Sequence, residues 1–276
     1  MSGKHKLPTI LAMIGLGLGS GALGGLLGIG GGALIVPGLV FLLNHDQHRA
    51  HGTSLVIVLM SCVSAVATYA YYGLVDLKVV AAMATGGAIG ALCGAKAANA
   101  IKGPALRRIF CLFLIFVGVQ MIRGACFGGA KPPDSHHLII FDNPVLGIAK
   151  LLATGLVAGF ASSLFGVGGG MVMVPAMTCL LFVPQQLAQG VSKTSILVTS
   201  STGALAYRRF GNVDARAAMW GGAGGIVGAW IGAIAAANVG SVLLKLIFGV
   251  FVIVMSVALA LKKDGEKAKE VSLGDE

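Results

Sequence analysis

The chain has 276 residues, of which 56% are hydrophobic and only 11% charged, and its mean hydropathy is +0.90. A soluble domain carries about 25% charged residues, so this chain cannot clothe a water-facing surface, and the same composition excludes disorder. The net charge of +10 is spread between apolar runs rather than gathered in one patch, which excludes a nucleic-acid partner and fits the positive-inside bias of a membrane protein.

The N-terminal segment Met1–Lys6 is basic and runs directly into apolar sequence without a small-residue cleavage site. It reads as retained, not as a signal peptide. Residues 9–43 form the first apolar stretch, and the cluster Gly28-Ile29-Gly30-Gly31-Gly32 interrupts it. The arm after the break, 33–43, would be about 16 Å long as a helix, half of a hydrocarbon core about 30 Å thick. The 44–52 loop follows, with His45, His48 and His51. Positions i and i+6 point about 240° apart on a helix, so only a loop could gather these imidazoles around a metal. The segment Ala50-His51-Gly52-Thr53-Ser54 opens the next apolar run, 53–72. Its hydroxyls and free amides suit either an oxyanion or plain N-capping. Runs at 79–101 and 105–123 are each long enough to span a bilayer. Asp76 precedes the first of these as a candidate N-cap. The polar, Gly- and Pro-containing segment 124–147 reads as a linker.

From there the chain repeats itself. A constant separation of 138 residues relates Gly30 to Gly168, Pro37 to Pro175, Gln47 to Gln185 and Gly52 to Gly190. It also relates Ser54 to Ser192, Tyr69 to Tyr207, Gly73 to Gly211 and Asp76 to Asp214, with no gap. Four segments follow: a first transmembrane repeat (1–123), a linker (124–147), a second repeat (148–262) and a cytoplasmic tail (263–276). In the second repeat the spanning runs are 192–209, 214–237 and 240–261, and the short arm is 171–183. The expected fold is an all-α polytopic membrane protein of two repeats, each opening with a Gly-broken helix pair.

With the tail lysines Lys262, Lys263, Lys267 and Lys269 in the cytoplasm, loops 96–108 and 208–216 are basic and inside. Their counterparts by repeat, 234–246 for the first and 73–78 for the 211–216 part of the second, are poor in basic residues and outside. Equivalent loops carry opposite bias, so the repeats are expected to be inverted, with both termini cytoplasmic and the protein in the plasma (inner) membrane of a prokaryote. Broken helices at matching positions of inverted repeats mark a secondary transporter, with its substrate near the midplane. Glycine lets backbone approach a ligand closely, and a helix start offers free N–H groups and a positive dipole end. Gly30, Gly31 and Gly32 with Gly168, Gly169 and Gly170 are therefore candidate anion ligands. Thr53, Ser54, Ser192 and Lys193 are candidates to complete the shell, with Pro37 and Pro175 expected in the first turns of the short arms. The packing alternative is that these glycines only let helices touch. Lys193 aligns with Leu55, so it breaks the repeat symmetry; it serves a ligand or snorkels to headgroups. None of the ten acidic residues lies in the middle of a predicted helix, which favours an anion over a cation.

The five cysteines lack CxxC spacing, so neither a disulfide framework nor a zinc site follows, and no cofactor is expected. Ser162 and Ser163 are the nearest candidates for a nucleophile, with no intramembrane base beside them, so no enzyme is expected. An anion channel with the same site, or a cation or metal transporter using the histidine loop, remains as an alternative.

The two G-x-G-G-G…P motifs, Gly28 to Pro37 and Gly166 to Pro175, with the A-x-G-x-S segments Ala50 to Ser54 and Ala188 to Ser192, resemble the TauE/SafE sulfite exporter family (the TSUP permeases). The resemblance covers about residues 10–262. It implies export or uptake of sulfite, thiosulfate or an organosulfonate, with a coupling ion if uptake is driven. The second copy reads Gly190-Val191-Ser192 where the family pattern has Gly-Thr-Ser.

Overall fold

A computed structural model describes residues 7–126, 144–179, 183, 185–238 and 241–261. The expected linker is therefore described only at its ends, and the N-terminal segment 1–6 and the tail lie outside the described residues. Every element among them is a helix: α1 (Leu7–Leu27), α2 (Gly32–Leu42), α3 (Gln47–Tyr71), α4 (Leu77–Ala100), α5 (Gly103–Cys126), α6 (Pro144–Phe165), α7 (Gly170–Cys179), α8 (Gln185–Arg209), α9 (Ala215–Asn238) and α10 (Ser241–Leu261). Six of them, α1, α3, α4, α5, α6 and α9, are long and apolar enough to cross a membrane, which makes this a multi-pass membrane protein.

The separation of 138 residues carries α3 onto α8 and α4 onto α9 at both ends. It also carries each break, 28–31 and 166–169, onto the other. Asp46 caps α3 by accepting from the Arg49 amide, Asp76 caps α4 from the Lys78 and Val79 amides, and Asp214 caps α9 from those of Arg216 and Ala217. The Asp46 cap starts α3 six residues earlier than the apolar run at 53 suggests. Thr53 and Ser54 thus lie within the helix, and neither is its cap.

α1 is rich in glycine, a poor helix former, and owes its form to packing. It lies along α9 with backbones touching. A Cβ on Gly17 would strike the Gly221 carbonyl, one on Gly21 the Gly225 carbonyl, and one on Gly25 the Ala229 carbonyl. Register rises together on both helices, so α1 and α9 run parallel. α4 and α6 do the same, with Gly86, Gly90 and Gly94 against Leu152, Leu156 and Phe160. Such small-residue seams take the place of hydrophobic collapse between helices in lipid. α5 and α10 pack on each other and turn side chains such as Leu112, Phe116, Val250 and Val254 outward.

α8 has the length of α3 but not its apolarity, and it is not among the six. It sits inside, against α3, α4, α6 and α7, which encloses Ser192, Lys193, Ser195, Thr199 and Ser200. Each short arm packs chiefly on its neighbours, α2 on α3 and α1, α7 on α8 and α6. Pro37 and Pro175 are the sixth residues of α2 and α7, within the helices, which corrects the expectation of first-turn positions. A proline there removes the bond to the carbonyl four residues back, that of Ala33 or Met171, while each short arm continues as one helix past it.

Candidate functional site

Each break is a run of left-handed glycines. Gly28, Gly30 and Gly31 have φ of 73°, 86° and 80°, and Gly166, Gly168 and Gly169 have 68°, 84° and 82°. Only glycine adopts this region freely, so the motif is dictated by backbone. Gly31 is the N-cap of α2, with no side chain to bond its first amides. Gly32 and Gly170 follow as the first residues of the short helices.

The two breaks are interlocked. A Cβ on Gly170 would lie 2.5 Å from Ile29 Cα and 2.6 Å from the Gly28 carbonyl oxygen. One on Gly32 would meet Val167 Cα, with the Gly166 oxygen at 2.6 Å. Each short helix thus begins beside a carbonyl of the opposite break, which offsets part of the positive end expected to attract an anion. Val58 of α3 and Ile196 of α8, a pair under the 138-residue separation, fill the space between. Val58 Cγ1 would stand 3.0 Å from a Cβ on Gly30 and 2.7 Å from one on Gly168, and Ile196 reaches Gly30, Gly168 and Gly170.

Hydrogen bonds lock the crossing in matched pairs. Ser54 Oγ donates to the Gly166 carbonyl (2.7 Å), and Ser192 Oγ donates to that of Gly28 (3.0 Å). His51 Nδ1 lies 2.9 Å from the Leu164 carbonyl, which can only accept, so the ring carries its proton there. At the equivalent place Gln189 Nε2 donates to the Leu26 carbonyl (3.2 Å). Gln47 Nε2 completes the His51 ring at Nε2 (2.9 Å). Tyr69 and Tyr207 donate to the carbonyls of Gly25 (2.7 Å) and Ser163 (2.8 Å). Sequence reasoning missed the pairs His51 with Gln189 and Val58 with Ile196. The alignment that found the glycines pairs a polar residue with a polar one just before Gly52 and Gly190, which was the available signal.

The structure thus brings together all six candidate glycines, Ser54 and Ser192. Thr53 stands apart: its Oγ1 accepts the Asp214 amide (2.9 Å), at the N-terminus of α9. There Asp214 meets Arg49 (3.0 Å) and His45 Nε2 (3.3 Å), an ion-paired cluster joining α3 to α9. Burial holds the His45 imidazole below its usual range; Arg49 adds to this and Asp214 opposes it. Val183, Leu187 and Val191 occupy the places equivalent to His45, Arg49 and Thr53, and they pack in an apolar cluster with Val75, Val79 and Val80.

Lys193 is fully buried and its Nζ has no hydrogen-bond partner among the described residues. Lys193, Ile196 and Ser200 share a face of α8 at i, i+3 and i+7. Ser200 Oγ lies 3.6 Å from the Cβ position of Gly168, and Ser162 Cβ 3.2 Å from that of Gly169. Both hydroxyls are also buried without a partner. Among the described residues no group of three histidine, cysteine or acidic side chains could hold a metal.

The family model described as sulfite exporter TauE/SafE matches residues 2–121 and 151–274. A Bacillus subtilis protein named "Probable membrane transporter protein YunE" is 30% identical over 223 residues, 75% of this chain and 81% of its own length. A Xylella fastidiosa protein (strain Temecula1) named "Probable membrane transporter protein" is 30% identical over 257 residues, 91% of this chain and 95% of its own. A Methanocaldococcus jannaschii protein with a similar name is 29% identical over 196 residues, 68% of each chain. No solved structure gives a significant match.

Proposed function

Because the chain belongs to the TauE/SafE sulfite exporter family, we propose that it is a secondary transporter that exports a small sulfur-containing anion such as sulfite, thiosulfate or an organosulfonate. The observation that carries this reading is the interlocked pair of glycine breaks. Two short helices start side by side in the middle of a membrane protein, with buried unpaired hydroxyls and an unpaired lysine beside them. Free amides at helix starts, hydroxyls and a cation are anion ligands. The substrate shell proposed is Gly30, Gly31, Gly32, Gly168, Gly169, Gly170 and Lys193, with Ser54 and Ser192 at its edge, whose hydroxyl protons go to the Gly166 and Gly28 carbonyls and would have to turn from them to reach an anion. Thr53 belongs to the α3–α9 contact and acts on the shell through it. The filled centre, with Val58 and Ile196 between the breaks, supports a carrier that alternates access over an open pore.

The repeats, 1–123 and 148–262, are proposed to be inverted in a prokaryotic inner membrane, with cytoplasmic termini. The parallel registers support this. If direction alternates along each repeat, α1 opposes α4. Since α6 runs with α4, it opposes its own counterpart α1. An inside-negative potential drives an anion outward by about 2.3 kcal/mol per charge per 100 mV. Export therefore needs no coupling ion, whereas uptake would.

The test is efflux of radiolabelled sulfite and thiosulfate from proteoliposomes of the purified protein. Saturable efflux that depends on the protein and rises with an inside-negative potential is expected. No flux of any sulfur oxyanion through well-folded, reconstituted protein would overturn the reading.

A further inference from the structure

We propose that Lys193 is the single full countercharge of the substrate site and that the site accordingly takes a singly charged anion and rejects a doubly charged one. This rests on the anion-transporter reading and specifies the substrate's valence: within that class it selects an organosulfonate or hydrogensulfite, which carry one charge, over thiosulfate and the sulfite dianion, which carry two. Three acidic residues lie among the described residues, and each is committed elsewhere. Asp46 and Asp76 cap helices, and Asp214 caps α9 while pairing with Arg49 and His45. Among the described residues, the ionisable side chain that faces Lys193 is the Cys62 thiol of α3. Cys62 lies one turn beyond Val58 on α3, and Lys193 one turn before Ile196 on α8. These two apolar residues touch the glycine breaks, so the ammonium flanks the centre of the site.

The counting of charge follows. An ammonium sealed from water and unpaired is strongly disfavoured, and an anion with one charge neutralises it. A second negative charge would find no second cation. Among the described residues, the positive features beside Lys193 are the starts of α2 and α7, and each already has a carbonyl of the opposite break beside it. The symmetry of the repeats sharpens the point, because the place equivalent to Lys193 is Leu55. The fold offers two such positions and charges one. Unpaired Ser162 and Ser200 then supply hydrogen-bond donors for oxygens on the monoanion.

The experiment uses two probes of similar shape and fixed charge: methanesulfonate, with one negative charge, and sulfate, with two. Binding to the full chain in detergent is measured by calorimetry. Methanesulfonate is expected to bind on the order of a hundredfold tighter than sulfate, the scale of one uncompensated charge within a membrane protein. Lys193→Gln is expected to abolish methanesulfonate binding. Cys62→Asp, which places a carboxylate beside the ammonium, is expected to fold and to lose it too, while Cys62→Ser keeps it. The aspartate variant answers the question if the glutamine variant does not fold. Sulfate binding as tight as or tighter than methanesulfonate, or undiminished methanesulfonate binding to a folded variant of either kind, overturns the valence proposal and leaves anion transport standing. Binding of neither probe, nor of sulfite or thiosulfate, by folded wild-type protein overturns both.

Discussion

Replacing Ser54 with alanine tests whether the crossing of the two glycine breaks is held by its matched hydroxyls. Ser54 is fully buried, and its 2.7 Å bond runs to a carbonyl on the opposite repeat. Alanine removes the donor and leaves the Gly166 oxygen in a place water does not reach. An unsatisfied buried acceptor costs about 1–3 kcal/mol. In a chain of this size each kcal/mol moves Tm by about 2–4 °C, so a loss near ~2 kcal/mol lowers Tm by about 4–8 °C. Ser192→Ala, whose bond to Gly28 is the 3.0 Å counterpart, should lower it by a similar amount. The double variant should lose less than the sum, because the crossing loosens once either bond is gone, a coupling of about 0.5–3 kcal/mol. The assay is thermal unfolding in detergent, followed by the fluorescence of Trp220 and Trp230 on α9. Ser201→Ala is the control: its hydroxyl bonds the Val198 carbonyl of its own helix at the exposed side, so its Tm should not move. A Tm equal to wild type for either Ser54→Ala or Ser192→Ala would refute the view that these hydroxyls lock the crossing.

Three other outcomes are expected. Because the His45 imidazole is held below its usual range, protonation favours the open or unfolded state; the stability it contributes is present above about pH 6.5 and is lost as pH falls. Tm measured from pH 7.5 down to 5.5 should therefore drop, and His45→Gln should flatten the drop, whereas an identical pH profile in that variant would count against a role for the cluster. Gly21→Val drives a side chain into the Gly225 carbonyl and should abolish folded protein on size-exclusion chromatography, while Gly15→Ala, with nothing within 4 Å of its Cβ position, should be neutral or stabilising by about 0.5–1 kcal/mol. Ile196→Ala shortens a side chain wedged between the breaks and should raise the uncoupled leak of a reconstituted anion, so a leak no greater than wild type would mean that Ile196 does not seal the centre.

Much of this was legible because the sequence is doubled. One separation located both breaks, both hydroxyls that cross between repeats and both tyrosines, since each hydrogen bond has its counterpart 138 residues on. Asp76 and Asp214 cap the helices that follow them, as their positions suggested. What the doubling could not display is the partner of each group. Ser54 and Ser192 look like free ligands in the sequence because their acceptors are backbone carbonyls of distant glycines, and a carbonyl has no sequence signature. The helix starts look like bare positive ends for the same reason. The start of α3 was obscured because Gln47, His48, Arg49 and His51 are polar, so hydropathy began the run at Thr53 while the Asp46 cap began the helix. Lys193 could be weighed in the sequence as either a ligand or a headgroup-seeking side chain; its complete burial without a partner among the described residues is what the proposed ligand role rests on.

The parallel seam of α1 against α9 has a consequence for how the chain is made. Gly21 rests on Gly225, a residue that leaves the ribosome about two hundred positions later. At roughly 5–20 residues per second, α1 waits about 10–40 s for its chief partner. During that interval a helix with glycines along its seam has only lipid, or whatever attends insertion, on the face that later meets backbone. Neither half of the gene can supply a finished product, since α6 needs α4 just as α1 needs α9. The two copies descend through biosynthesis as one unit, and quality control at the membrane must hold the first until the second arrives.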